Sequence, residues 1–367
     1  MKKKNTEKID SQRRLSERRH EINQRRKSKF YNPNRPSNPA ASILKGKFIT
    51  APEVISIYQF GNGEDDHFSR TMQFVSQIKR SFRRERCIFD FRNTTHVSAA
   101  AMIVVYAALD NAQDLGFEES TILWAERSRV VNTAIKQTKI SNLIEGREVK
   151  YAFDPGKHLP VISSYGSVYM EDILDYIQQK VFKNKMPPET EHIYGDAVSE
   201  TINNVGYHAY PKKLGRDKRW WLLCNLIGND LYLAIYDNGI GIPNTVVDNP
   251  WFFTSLERVY PDQYSELKKE VPGMDRKGIA SFLFQKLNDP ELIALSMAGN
   301  ISGTRDSKRG QGSKSIKALV DETDSGKLWV FSNKGLYRFM SESMDAEVIR
   351  LPSALPGTLV QWNIKLS

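Results

Sequence analysis

The sequence predicts an α/β protein with a charged N-terminal tail (residues 1–45), an α/β domain over residues 46–155 and a second α/β domain over residues 160–367. Three observations carry this reading. Short apolar runs alternate with longer runs whose apolar residues recur every three or four positions. Pro, Gly and Ser cluster at "DPGKHLPVISSYGS", which marks a boundary near 156–160. The positive charge gathers at one end: residues 1–36 hold thirteen Lys or Arg and four acids, so the tail carries +9 of the net +10.

The tail has few apolar residues and ends in "YNPNRPSNPAAS", a composition that favours disorder or a frayed helix. It is either a solvated leader or an arm that meets nucleic acid or an acidic partner by charge alone. The folded part is nearly neutral. No apolar run approaches the roughly 20 residues of a membrane span, and no apolar signal core follows the first lysines, so a soluble, cytoplasmic protein is expected. Cys87 and Cys224 stand in separate apolar segments without metal-ligand spacing and read as buried thiols.

Along the first domain, "KFITAPEVISIYQF" is strand material, and Phe68, Met72, Val75, Ile78 and Phe82 mark a helix. "RCIFDF" is a buried strand, followed by an alanine-rich helix from Ser98 to about Asp114, a strand "TILWAE", a helix "RVVNTAIKQTKISNLI" and a strand "EVKYAF". In the second domain two helices, "MEDILDYIQQKVF" and "ETEHIYGDAVSETINNVGYHAY", precede strands "RWWLLCNLI" and "DLYLAIYD", which a tight turn at "IGND" pairs antiparallel. A mixed segment over 244–309 leads to "RGQGSKSIKALVDE" and to strands "KLWVFS", "GLYRFM" and "GTLVQWNIKL".

Three elements carry chemistry. Glu200, Asn204 and His208 are four residues apart and share one helix face. Asn204 offers a carbonyl oxygen to a hard cation such as Mg²⁺, and Glu200 a base for an attacking water; a solvated helix face has the same pattern. In "YDNGIGIP", Asp237 ends a strand, where a buried carboxylate accepts a hydrogen bond from an exocyclic amine. Gly239 and Gly241 clear space for a flat base. Alone, the stretch is equally a hairpin turn. In "KRGQGSKSIKALV", Gly310 and Gly312 precede a helix and offer N–H groups to an anion beside Lys308, Arg309 and Lys314. A Walker A loop is excluded because Ser313 stands where Gly is required.

In this order the elements resemble the GHKL superfamily of Bergerat-fold ATPases over roughly residues 165–367: "ETINNVGYHA" is similar to its N-box, "DNGIGIP" and "RGQG" to its glycine boxes, and "GTLVQWNI" to its late Gly-Thr strand. The resemblance implies an α/β sandwich, a mixed sheet with helices on one face, binding ATP and Mg²⁺. Asp237 would read the adenine amine, with Gly239 lining the base, assisted by Gly241 and by Thr358 through water. Asn204 would ligate the metal, Glu200 would activate water, and Gly310 and Gly312 would contact phosphates. Residues 244–309 would be an ATP lid, lengthened by "WFFTSLERVYPDQYSELKKEVPG", whose aromatics fit a small helical insert. Gln311 and Ser313 replace apolar residues common in the family.

"RCIFDFRNTTHVSAAAMIVVYAALDNAQDLGF" resembles the strand and helix of a STAS domain, the fold of anti-sigma factor antagonists. Alignment places Ser98 on the family's Asp and Ala99 on its phosphoacceptor Ser; a register slip of one would give Ser98 that role. Three functions follow from the two resemblances: a Mg-dependent ATPase or ATP-driven switch in a bacterial regulatory or mobile-element system, a serine kinase of the anti-sigma type, or a nucleotide-binding scaffold without turnover. The expected partner is a protein or a second copy, met through the STAS-like domain or the lid. A histidine kinase is disfavoured, since no paired helices with a phosphoacceptor His precede the ATPase region.

Overall fold

The computed structural model describes residues 46–61, 66–112, 120–249, 251–270, 282, 286–298, 312–323, 325–343 and 345–366. The tail of residues 1–45 lies outside them.

The N-terminal region contains β1 (Lys47–Thr50), β2 (Val54–Ile55), α1 (His67–Ser81), β3 (Cys87–Asp90), β4 (His96–Val97), α2 (Ala99–Asp110), β5 (Thr121–Leu123), α3 (Arg129–Gln137) and α4 (Ile140–Ile144). Strands β1, β3 and β5 pair in parallel in that order, and β2 pairs in parallel with β4. Helix α1 starts where Asp66 accepts from the Ser69 N–H at 2.9 Å, and it buries Phe68, Met72, Val75 and Ile78 as their spacing requires. Helix α2 differs, because it is apolar on every side and buried from Ala100 to Asp110. Such a helix needs cover all round. It packs against α1 and α4 within its own region and against two strands of the next, β7 and β8 below.

Two expectations here are corrected. The single helix over 129–144 is two, because Lys139 adopts a left-handed φ of 65° that an α-helix cannot pass through. "EVKYAF" makes no strand. Residues 148–153 are irregular, and Tyr151 instead uses its hydroxyl oxygen to accept from the Ser163 N–H at 2.9 Å.

The C-terminal region contains β6 (Ile162–Tyr165), α5 (Met170–Lys180), α6 (Pro188–Asn204), β7 (Arg219–Ile227), β8 (Asp230–Asp237), α7 (Phe252–Val259), α8 (Pro261–Glu270), α9 (Asp289–Ala298), α10 (Gly312–Asp321), β9 (Lys327–Met340) and β10 (Glu347–Lys365). The five strands run β6-β7-β8-β10-β9. Each pairing is antiparallel, so the sheet expected to be mixed is not. The short connections within the β7–β8 and β9–β10 hairpins impose this, and β10 enters between β8 and β9. Strand β6 arises inside the Pro/Gly/Ser cluster read as a boundary, and β9 is one strand where two were expected.

Alternation along the strands splits their side chains between two cores. Leu231, Leu233 and Ile235 face α5, α6 and α10; Ala234 and Tyr236, with Trp221, Phe331 and Leu359, face α1 and α2. Helices of the C-terminal region thus cover one face of the sheet, and α1 and α2 of the N-terminal region cover the other. Lys47–Ser367 form one compact unit. Polar bonds cross the same contact: Asp110 Oδ2 accepts from Ser163 Oγ (2.5 Å), Trp221 Nε1 (2.9 Å) and Arg219 Nη1 (3.0 Å), and the Tyr58 hydroxyl donates to Gln361. Within the long 244–309 segment, Phe252, Leu256, Leu267, Leu292 and Leu295 build a third core, as expected of a small helical insert. No helix among the described residues is long and apolar enough to cross a membrane.

Candidate functional site

Asp237 closes β8 on the face covered by α6 and α10. Register places Thr358 opposite it on β10 and Ser332 opposite Thr358 on β9, so the three polar residues form one row across three strands. Asp237 is 5% exposed. Burial pushes its carboxyl up to about 7, against the opposing pull of two backbone donors, the N–H groups of Gly239 and Thr358. The Gly239 bond is 2.8 Å. A carboxylate has about four acceptor positions, so two backbone donors leave capacity for a further donor.

The chain does not form a hairpin after Asp237. It leaves the sheet through Asn238 and Gly239 into a short 3₁₀ turn, Ile242–Asn244. The two glycines of this stretch have reasons inside the fold. A Cβ on Gly239 would lie 2.3 Å from the carbonyl oxygen of Ala209; Gly241 has φ 84°, and a Cβ there would lie 2.8 Å from Ser332 Oγ and Asn333 Nδ2. Space for a base is thus not what these positions need first; the loop is packed against its own chain.

The sequence reading missed the two residues that grip this loop. Ser332 Oγ accepts from the Ile242 N–H (2.9 Å), donates to the Gly357 carbonyl (2.9 Å) and lies 3.2 Å from Thr358 Oγ1. Asn333, at a left-handed φ of 49°, donates from Nδ2 to the Ile240 carbonyl at 3.2 Å. Their only signal in the sequence is a Ser-Asn pair directly after the apolar run "LWVF".

Helix α6 supplies the third side. Glu200 and Asn204 are half-buried on one stripe, but after Asn204 the helix widens into a π turn, Val205–Ala209. The wider turn takes His208 off the stripe and leaves it exposed, so the predicted three-residue face is a two-residue one. The same turn presents the Ala209 carbonyl to Ile240 N–H (2.9 Å), and Tyr210 accepts from Asn238 N–H (2.9 Å). These bonds dock the end of α6 on the loop that follows Asp237. Burial, then the charge of Asp196 one turn earlier, raises the Glu200 pKa.

Gly312 begins α10, whose Trp362 Nε1–Ile316 carbonyl bond (2.8 Å) ties it to β10. Ser313 is buried, although it replaces an apolar residue. Gly310, Lys308 and Arg309 lie outside the described residues. No group of three or more His, Cys, Asp or Glu among the described residues forms a metal cage. The donors Asn204 and Glu200 suit an ion that brings most of its own ligands, as Mg²⁺ held by phosphates does. Ala99 stands at the position aligned with the phosphoacceptor, and Ser98, the alternative in a shifted register, serves as N-cap of α2, accepting from the Ala101 N–H at 3.4 Å. Compared with known proteins, the chain matches no family model and no curated protein at a significant level.

Proposed function

We propose that the chain is a nucleotide-binding protein of the GHKL type that binds ATP with Mg²⁺ and turns it over slowly as a regulatory switch. One observation carries the reading: the helices that bear Glu200 and Asn204 (α6) and that begin at Gly312 (α10) pack on the same face of the sheet as the Asp237–Thr358–Ser332 row. In this reading they would serve as an amine reader, a cation ligand with a base, and an anion-facing helix end.

In this reading Asp237 accepts the adenine amine, and Thr358 holds a water between the base and the strand. Asn204 would hold Mg²⁺, which with ATP supplies a polarised phosphoanhydride. Glu200, raised by burial, takes a proton from the attacking water. The N–H groups at Gly312 face the phosphates. The N-terminal region belongs to the same proposal as a STAS-like module. Its Ser98 is engaged as a helix cap and Ala99 has no hydroxyl, which favours a switch over a kinase acting on its own module.

The test is incubation of the purified chain with γ-labelled ATP and Mg²⁺, comparing wild type with Glu200→Ala. Free phosphate lost in the variant supports the proposal. Label transferred to protein makes the chain a kinase, and binding without either makes it a scaffold. Absence of binding removes the nucleotide reading.

A further inference from the structure

We propose that Lys79, on α1 of the N-terminal region, is a positioning residue for the Asp237–Gly239 turn and acts through the side chain of Asn238. The inference rests on the nucleotide reading above and extends it to how the two regions are wired together. Lys79 Nζ donates to Asn238 Oδ1 at 3.0 Å, a bond between residues 159 apart in sequence. A lysine in the last turn of a helix normally stays in water beside the carbonyl ends. This one is half-buried, burial lowers its pKa, and its ammonium reaches Asn238 Oδ1.

Alternation explains the target. Asp237 opens toward the helices carrying Glu200 and Gly312, and the next side chain, Asn238, points to the opposite side, where α1 lies. The peptide they share is fixed on its remaining sides. Asn238 N–H donates to the Tyr210 hydroxyl (2.9 Å), and Gly239 N–H donates to Asp237 Oδ1 (2.8 Å). On β10, a Cβ added at Gly357 would lie 2.0 Å from the Asp237 carbonyl oxygen and 2.8 Å from Asn238 Cα, so the backbone has no room there. The Asn238 side chain leads from this turn to α1, and Lys79 holds it. Tyr236, whose hydroxyl donates to the Pro356 carbonyl at 2.7 Å, is a longer neighbour of the same oxygen at 3.4 Å. α1 also packs on β10, but the Lys79–Asn238 bond is its polar link to the turn that holds Asp237.

The experiment is a double-mutant cycle on the affinity of the full chain for a fluorescent ATP analogue with Mg²⁺, using Lys79→Met, Asn238→Ala and the double variant. Lys79→Gln, a neutral donor, serves as rescue, and circular dichroism establishes the folded fraction of each. Loss of one charge-assisted hydrogen bond corresponds to about tenfold in affinity. We expect each single variant to weaken binding about tenfold, the double variant to be no weaker than either single, and Lys79→Gln to restore most of the loss. Unchanged affinity in Lys79→Met, or losses that multiply in the double variant, overturn the proposal. Asp237→Asn in parallel separates the two ideas: if it binds normally, the nucleotide reading itself fails, whereas its loss of binding beside a silent Lys79→Met fails Lys79 alone.

Discussion

Replacing Asp237 by Asn should make the free protein more stable and less able to bind. Burial raises the carboxyl of Asp237 from 3.8 to about 7. Below about pH 4 the group is protonated in both folded and unfolded chains and its favourable contribution is complete. Between about 4 and about 7 the unfolded chain releases the proton while the folded chain keeps it, so stability falls as pH rises, and above about 7 the ion is buried at full penalty. About three pH units at roughly 1.36 kcal/mol each give about 4 kcal/mol. Asn is neutral throughout and keeps a carbonyl oxygen for the Gly239 N–H. Urea midpoints of wild type and Asp237→Asn at about pH 5 and about pH 8.5 measure the part of the penalty that falls above pH 5: about two pH units, so the gap in favour of the variant should widen by about 3 kcal/mol toward the higher pH. The same variant should lose about 100-fold in nucleotide affinity, the effect of replacing a charged acceptor by an amide whose NH₂ opposes the adenine amine. Parallel stability curves would refute the buried-carboxylate argument, and retained affinity would refute the assignment of Asp237 as the base reader.

Three further outcomes follow from the geometry. Glu200→Ala should retain nucleotide binding and lose phosphate release by at least about 100-fold, and wild-type turnover should rise with pH through the raised pKa of Glu200, since the base is the ionised form. Asp110→Ala leaves Arg219, Trp221 and Ser163 without their shared acceptor and should cost about 3 kcal/mol, read by denaturation; loss in two separate transitions would show that the regions do not depend on each other. Gly239→Ala should abolish nucleotide binding and lower stability by about 2 kcal/mol or more, because the new methyl meets backbone at Ala209, which cannot step aside as a side-chain tip can; unchanged stability would mean the loop is looser than described.

What the sequence carried well was periodicity. The spacing of Phe68, Met72, Val75 and Ile78, and the two apolar runs joined by "IGND", are local patterns, and they became α1 and the β7–β8 hairpin. The errors fall where tertiary context decides. Nothing in "TKISNLI" marks Lys139 as left-handed, and "EVKYAF" has strand composition but meets β6 through the Tyr151 side chain, not through a backbone ladder. Strand β6 sat unseen among Pro and Ser because four residues against β7 suffice. At the candidate site, the sequence singled out Asp237 by the glycines after its strand, and the register puts Thr358, named through the resemblance, opposite it. Ser332 and Asn333 were not readable, since their role depends on a strand pairing 26 residues away in one case and a loop 93 residues away in the other.

Helix α2, apolar on every side, also sets a timetable for synthesis. Its N-terminal neighbours exist once the chain has reached Ile144, but the strands that cover its other side end only at Asp237. At translation rates of about 5–20 residues per second, the interval between Asp110 and Asp237 lasts roughly 6–25 s. For that time the nascent chain carries a fully apolar helix with one side bare, a natural target for chaperones that recognise such segments. Covering it closes contacts of large sequence separation, which makes the docking of β7 and β8 a late and slow event in folding.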